Sequence, residues 1–303
     1  MHDRNINTTS DIPILYAGND EYTIPLTVSM VSACIHQHKH THLSIKILMR
    51  EGITEDNIKI LKSISNYYPH CSVDIIIVNK DLFLDASKKT DVPLPTYYVL
   101  IASSRFPNLD KMLYFDGDVL IFSDLNNMYN FNISDVYYAG STDPYYRTPG
   151  KRLYINAGIL SLNLKLMREN NYEDQVFEYI KTHNYIKHAD NEIINTIVPD
   201  NKMKLLPPEL SSRGFESLNA LKIFYYHGSS DLINYNFSDF EKSWRNPKIV
   251  HLCGIIRKPF AFCFTDSDRC NRKYLNNYLV TWWDYAEIHD DYYELVLKKI
   301  CRK

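Results

Sequence analysis

The sequence predicts an α/β protein, with a mixed central sheet flanked by helices and a small helical extension at the C-terminus. Three observations carry that expectation. Short apolar runs alternate with amphipathic stretches through the first half of the chain, the pattern of strands interleaved with helices. With 303 residues, 45% of them apolar and 23% charged, the chain has ordinary globular composition and can bury one large core. No stretch approaches the roughly 20 consecutive apolar residues that cross a bilayer.

The elements follow in order. Ile12 to Ala17 reads as a buried strand that stops at the turn-prone Gly18-Asn19-Asp20. Tyr22 to His36 reads as a helix, with Pro25 accommodated in its first turn. Leu43 to Met49 alternates as a strand, and Thr54 then caps a helix carrying Ile58, Leu61 and Ile64 at helical spacing. Val73 to Val78 is a third strand. Leu84 to Pro95 reads as a loop leading to a helix near Tyr97 to Arg105. Met112 to Phe115 is a short strand that stops at Asp116-Gly117-Asp118, and Val119 to Phe122 is a second apolar run behind it. Val136 to Ala139 and Ile155 to Leu162 are further strands, separated by a loop from Ser141 to Arg152. Leu164 to Thr182 and Asn191 to Val198 read as helices. Pro207 to Asn246 is rich in Tyr, Phe, Asn and Ser with weak periodicity, and predicts only loops and short elements. Ile249 to Leu252 is a last buried strand, and one or two helices follow from Asn271. The expected organisation is a lead-in over 1–10, one domain over 11–265 and a helical extension over 266–303.

Charge excludes some classes of function. Acidic and basic residues nearly cancel, 36 against 34, for a formal net charge of −2. A whole-protein electrostatic grip on nucleic acid is therefore not expected. Any polyanion must be held by a few local charges or by a metal ion. The polar stretch Met1 to Ser10 has no signal-peptide character. The six cysteines (Cys34, Cys71, Cys253, Cys263, Cys270, Cys301) show no paired spacing. Both features point to reduced thiols and a cytoplasmic protein. Cys263 and Cys270 lack the two further partners that a zinc site needs.

The strongest local signal is Leu113-Tyr114-Phe115-Asp116-Gly117-Asp118. Two carboxylates one residue apart at a strand end can both aim oxygens at a hard divalent cation. Gly117 permits a sharp turn there, or a close approach by a ligand. A second signal is Ile249-Val250-His251, an imidazole at the end of another apolar strand. A third is Tyr154-Ile155-Asn156-Ala157-Gly158, where small residues could let a ligand approach the backbone.

Taken in order, five blocks resemble glycosyltransferase family 8, which includes glycogenin and bacterial lipopolysaccharide galactosyl- and glucosyltransferases. They are Tyr16-Ala17-Gly18-Asn19-Asp20-Glu21-Tyr22, Asp116-Gly117-Asp118, Asn156-Ala157-Gly158, Ala189-Asp190-Asn191-Glu192, and His251-Leu252-Cys253-Gly254 with Lys258-Pro259. The resemblance runs from about Ile12 to Phe260. It implies a GT-A fold and a retaining enzyme using a UDP-hexose donor and Mn2+, with Mg2+ as an alternative. By that resemblance Ala17, Gly18, Asn19 and Tyr22 surround the nucleoside. Asp116, Asp118 and His251 match the metal positions, and Lys258 faces the diphosphate. Gly117, Ala157 and Gly254 belong to the same donor-binding blocks. Asp143, Asn156, Asp190 and Asn191 match positions lining the transferred sugar, with Asp190, Asn191 and Asp143 as the catalytic candidates.

The chemistry agrees. A departing UDP needs its negative charge neutralised, which a divalent metal achieves as a Lewis acid. Two carboxylates and one neutral imidazole suit Mn2+ better than a purely oxygen-seeking ion such as Ca2+.

Two positions depart from the family. Val99 stands where many relatives carry a basic side chain, so a phosphate or sugar contact is either missing or supplied by Arg105, Arg147 or Arg257. Asn19 stands where relatives often have Asp. These departures motivate an alternative, a catalytically silent protein that binds a nucleotide sugar. A nucleotidyltransferase is disfavoured, because Gly18-Asn19-Asp20-Glu21 is neither Gly-rich nor basic.

Other features are read as surface. The run from His36 to His42 is taken as exposed histidines without an acidic partner. Of the 24 tyrosines, Tyr145 and Tyr146 are the expected acceptor contacts. The basic ending Lys298 to Lys303 is a solvated helix end, with weak peripheral membrane contact as the alternative. The expected partners are a UDP-sugar donor and an oligosaccharide, glycolipid or glycoprotein acceptor.

Overall fold

Strict alternation in the first apolar run builds the centre of the sheet. Ile12, Ile14 and Tyr16 pack into one core cluster, and Leu15 and Ala17 into the other. Only a strand buried on both faces can serve two cores in this way. The computed structural model describes residues 10–38, 40–143, 153–215, 217–227, 235–253, 258–261 and 277–297.

The strands are β1 (Ser10–Gly18), β2 (Thr41–Arg50), β3 (Cys71–Val78), β4 (Lys111–Phe115) and β5 (Val119–Ile121). They continue with β6 (Tyr138–Thr142), β7 (Ile155–Asn163), β8 (Met203–Leu205), β9 (Ser212–Arg213) and β10 (Ile249–His251). Seven form one mixed sheet in the order β3-β2-β1-β4-β7-β6-β8, and β5-β10-β9 form a small second sheet. β1 pairs parallel with β2 and β4, whereas β7 runs antiparallel to both β4 and β6. Strand order reverses direction between β1 and β4. In open α/β sheets, ligands bind in the crevice outside the carboxyl ends of strands at such a switch point. Here that crevice lies between Gly18 and Asp116.

Helices cover both faces. Thr23–His36 and Glu55–Tyr67 follow β1 and β2, the second capped by Thr54, whose hydroxyl accepts from the Asn57 backbone N–H at 3.4 Å. The helices Asn277–Ala286 and Asp290–Val296 pack onto the first of these faces, where Trp282, Trp283 and Tyr292 join the cluster of Ile12 and Leu26. The Tyr292 hydroxyl donates to the Ile24 carbonyl at 2.8 Å.

Several expected elements are relocated. The strand placed at Val136 to Ala139 runs instead over Tyr138–Thr142, because Val136 closes a turn on Ile133 at 3.2 Å. The expected single helix Leu164 to Thr182 is two helices, Leu164–Glu169 and Tyr172–Thr182. Asn171 breaks it with φ 50, a left-handed conformation that Asn tolerates better than most residues. The helix expected near Tyr97 to Arg105 is largely a 3-10 segment, Leu94–Ile101, ending in one α turn over Ala102–Arg105. The preceding loop contains its own helical turn, Leu84–Ser87. Between Pro207 and Asn246, where only short elements were predicted, lie the helices Leu218–His227 and Phe237–Arg245.

The histidine run also differs from expectation. His42 sits within β2 and bonds Asp11 at 2.7 Å, and His38 lies 3.9 Å from Asp124, so acidic partners are present. His36 meets the Tyr285 hydroxyl at 2.7 Å. The three face three different partners and gather no ion site.

Candidate functional site

The turn after β4 is pinned from two sides. The Asp116 N–H donates to the Gly158 carbonyl of β7 at 2.9 Å, and the Leu252 N–H donates to the Asp118 carbonyl at 2.9 Å. β10 pairs with β5 in the register that sets His251 opposite Val119. Residues more than 130 positions apart in the chain are thereby drawn to one point. His251 Nε2 lies 3.4 Å from Asp116 Oδ2 and 3.2 Å from Asp118 Oδ1. Among the described residues these three form the one group of His, Cys, Asp or Glu side chains able to share an ion. Ligands held at about 2.2 Å and at right angles around an ion stand roughly 3.1 Å apart, so the spacing fits.

Gly117 does not have positive φ. Its role is close approach, since a Cβ there would lie 2.9 Å from the ring of Tyr22. Gly158 is tighter still: a Cβ would fall 2.1 Å from His251 Cε1 and 2.8 Å from Asp116 Oδ2.

The imidazole is oriented by Asn156. The amide oxygen of Asn156 accepts from the Gly158 N–H at 3.1 Å and faces His251 Nδ1 at 3.0 Å. That oxygen can only accept, so Nδ1 carries the proton and Nε2 is the nitrogen turned to the two aspartates. Lys258 donates to Asp118 Oδ2 and, at 2.8 Å, to the Leu252 carbonyl. Tyr114 donates to Asp116 Oδ1 at 2.7 Å.

Electrostatics separate the carboxylates. Burial raises the Asp116 carboxyl; His251 counters it and the charge of Asp118 adds to it. Burial would raise Asp118 too, but His251 and Lys258 hold it well below the usual carboxylate range. Burial opposes charge on His251, yet Cys253 and Asp118 keep the imidazole well above its ordinary value. Asp190 is raised well above the usual range, by burial first and by Asp116 second.

Two adjoining cavities meet here. The first, about 440 Å³, is lined by Ala17, Gly18, Asn19 and Tyr22 on one wall and by Asp116, Gly117 and Asp118 on the other, with His251 and Lys258. The second, about 680 Å³, is lined by Asp143, Asp190, Lys187, Arg213 and Phe215. Asn156, Asn191, Thr96 and Cys253 border both. Asp143 and Asp190 thus belong to the second cavity, away from the wall of Ala17, Gly18, Asn19 and Tyr22. Ala157 lines neither; it is buried and its N–H donates to Asn191 Oδ1 at 2.9 Å. The Asn191 amide in turn donates to Asp190 Oδ1 at 3.2 Å. Asn19 caps its own turn, accepting from the Tyr22 N–H at 3.1 Å. Gly254, Tyr145, Tyr146, Arg147 and Arg257, the pair Cys263 and Cys270, and the ending Lys298 to Lys303 lie outside the described residues. Arg105 is exposed and lines neither cavity.

Three site residues were assigned no role from the sequence, although Tyr114 and Cys253 stand inside two of the quoted blocks. Tyr114 is one more apolar strand residue by pattern, Cys253 is an isolated thiol, and Arg213 lies in the weakly periodic region.

Comparisons with known proteins agree with this geometry. The family description "Glycosyl transferase family 8" matches residues 13–261. A putative glycosyltransferase of Haemophilus influenzae is 28% identical over 196 residues, which is 61% of this chain and 58% of that protein. The fold matches the galactosyltransferase LgtC, solved in complex with donor and acceptor sugar analogues, with TM-score 0.69, 19% identity and coverage of 94% and 99% of the two chains. It also matches the bifunctional glycosyltransferase WbbM, with TM-score 0.71 and 16% identity, over 99% of this chain and 53% of that one. The chain thus spans less than two thirds of the Haemophilus and WbbM proteins. The expected GT-A architecture is the one observed. No helix among the described residues is long and apolar enough to cross a membrane.

Proposed function

The chain belongs to glycosyl transferase family 8, and we propose that it transfers galactose or glucose from a UDP-sugar to a glycan acceptor with retention of configuration. The carrying observation is the meeting of Asp116, Asp118 and His251 at the wall of a cleft built on the β1–β4 switch point. Asp116, Asp118 and His251 would hold a divalent ion, Mn2+ in preference to Mg2+, which neutralises the charge of departing UDP as a Lewis acid.

The remaining roles follow from the chain's own side chains. Ala17, Gly18, Asn19 and Tyr22 form the wall offered to the nucleoside, and the ring of Tyr22 is braced edge-on by Phe260 at 5.4 Å. Lys258 places a cation beside Asp118, where a diphosphate would gain a charge-assisted contact. Asp190 is an acid whose charge is set by its surroundings, burial first and Asp116 second. Positive charge entering beside Asp116 offsets one of the two causes that raise the Asp190 carboxyl. As a carboxylate it would face the sugar as positive character develops there. The Asn191 side chain, bonded to Ala157 and Asp190, positions that carboxyl. The second cavity, open beside Asp143, Tyr154 and Phe215, is the place offered to the acceptor.

Retention leaves two routes, a covalent intermediate or same-face attack. UDP release, measured with Mn2+ and a panel of nucleotide sugars with and without acceptors, names the donor. Asp118→Asn should abolish that release while near-ultraviolet circular dichroism keeps its native form. Full activity in the variant would reject the ion assignment. Binding of a UDP-sugar without turnover of any donor would instead establish a silent nucleotide-sugar-binding protein.

A further inference from the structure

We propose that Arg213 is a positioning residue, holding the His251 imidazole from the side of the second cavity so that Nε2 stays turned to Asp116 and Asp118. The proposal deepens the function above and rests on its ion site. β9 pairs parallel with β10 in the register that sets Arg213 beside His251. Paired residues on neighbouring strands send their side chains from the same face. Arg213 therefore projects alongside the imidazole while belonging to a different segment of the chain.

The guanidinium is buried, with 12% of its side chain exposed. It makes two directed bonds: Nη2 donates to Asp143 Oδ2 at 2.8 Å, and Nε donates to Cys253 Sγ at 3.2 Å. Both acceptors lead to the same ring. Asp143 Oδ2 also receives the Asn156 amide at 3.5 Å, and the oxygen of that amide meets His251 Nδ1. Cys253 stands two residues after His251 on the same segment and lines the same cleft. Arg213 thus grips two groups that lead to the ring, Asp143 just after β6, which acts through Asn156, and Cys253 just after β10.

Arginine suits this task and lysine does not. A planar fork fixes the relative placement of two acceptors on separate segments, whereas an ammonium is a single point on a flexible stem. A buried cation is costly unless its partners are worth holding, and here both partners flank a proposed ion ligand. Groups that orient a metal-binding histidine through its second nitrogen change ion affinity by about 10- to 100-fold when lost.

The test uses the full chain without nucleotide. Mn2+ affinity is measured by electron paramagnetic resonance titration, and the ring by nitrogen-15 NMR of labelled histidine in ion-free protein. Arg213→Met should raise the Mn2+ Kd about tenfold and speed exchange of the His251 Nδ1 proton. Arg213→Lys, which keeps the charge and loses the fork, should fall between. If Arg213→Met does not fold, Arg213→Met with Asp143→Asn removes the buried charge and its partner together, and the same changes are expected. Wild-type Mn2+ affinity in a folded variant, with Asn156→Ala weakened, would overturn the proposal and leave the ion site standing. Failure of the unaltered protein to bind Mn2+ would sink the ion site itself. The NMR arm then decides the positioning claim, which falls if Nδ1 exchange is unchanged.

Discussion

Gly158→Ala tests the ion site through a single methyl group. The backbone at this position in β7 is not left-handed, so alanine is conformationally acceptable there. The obstacle is steric. The added Cβ would lie 2.1 Å from His251 Cε1 and 2.3 Å from Nδ1, where ordinary contact begins near 3.4 Å. The ring must therefore move by about 1.3 Å, the difference between 3.4 and 2.1. A coordination distance tolerates roughly 0.2 Å, so the displacement removes His251 as a ligand. It also breaks the Nδ1 bond to Asn156. Loss of ion affinity should be at least the 10- to 100-fold seen when only an orienting group is lost. Overpacking should destabilise the ion-free fold by about 1–3 kcal/mol. Isothermal titration with Mn2+ measures the first quantity and urea denaturation the second. The same substitution introduced beside His251→Ala should cost little further affinity, since its target is already gone. A folded Gly158→Ala protein that binds Mn2+ like the wild type would refute the placement of His251 in the ion site.

Two other perturbations address the neighbouring helix. Asp190 has its carboxyl raised by burial and by Asp116, so the folded chain keeps a proton that the unfolded chain loses near pH 3.9. Stability of the ion-free protein should therefore decline as pH rises from about 3.9 toward the folded pKa. Asp190→Asn removes that decline, and thermal melts should show it gaining over wild type more at pH 7 than at pH 4. Its transferase activity should fall by roughly 100- to 1,000-fold. Equal melting differences at both pH values would contradict the raised carboxyl. Ala189, just before it, has φ 46, a conformation costing a non-glycine residue roughly 1–2 kcal/mol. Ala189→Gly relieves that cost but loosens the unfolded chain by about 0.4–1 kcal/mol, leaving a net gain on the order of 0.5–1 kcal/mol. Urea denaturation reads it, and a loss of stability would show that the backbone is not strained there.

Legibility in the sequence followed burial. β1 and β4 could be read because each is an unbroken apolar run between turn residues, and such runs occur where a strand is covered on both faces. The grouping of Asp116, Asp118 and His251 was legible because the two aspartates sit in the turn between apolar β4 and β5, and His251 ends β10. The helices Leu218–His227 and Phe237–Arg245 were unreadable for the converse reason. Their cluster buries chiefly Leu221 and Phe240, so few positions are constrained and no period emerges. Arg213 inherits that obscurity. A two-residue strand has no pattern of its own, and the importance of Arg213 arises only from the parallel register with β10. The break at Asn170-Asn171 and the 3-10 winding of Leu94–Ile101 were hidden differently, since both keep apolar side chains at spacings that an α-helix would also produce.

Val99 shows how a departure from a family pattern acquires a physical meaning. A cation was expected there and a valine stands in its place. In the 3-10 segment Leu94–Ile101, Val99 is 1% exposed and packs in the cluster that holds Leu15, Tyr98 and Tyr114. A basic side chain at that depth would lose its hydration, which costs several kcal/mol unless a partner repays it. From that segment Pro95 lines the first cavity and Thr96 borders both, and neither carries a charge. Positive charge enters from elsewhere. Among the described residues, the lysines and arginines lining the two cavities are Lys258, Lys187 and Arg213, all contributed by the second half of the chain. Two of them are already tied to site carboxylates, Lys258 to Asp118 and Arg213 to Asp143. Positive charge at the two cavities is therefore supplied by Lys187, by Arg213 of β9 and by Lys258 after β10, and not by the 3-10 segment before β4.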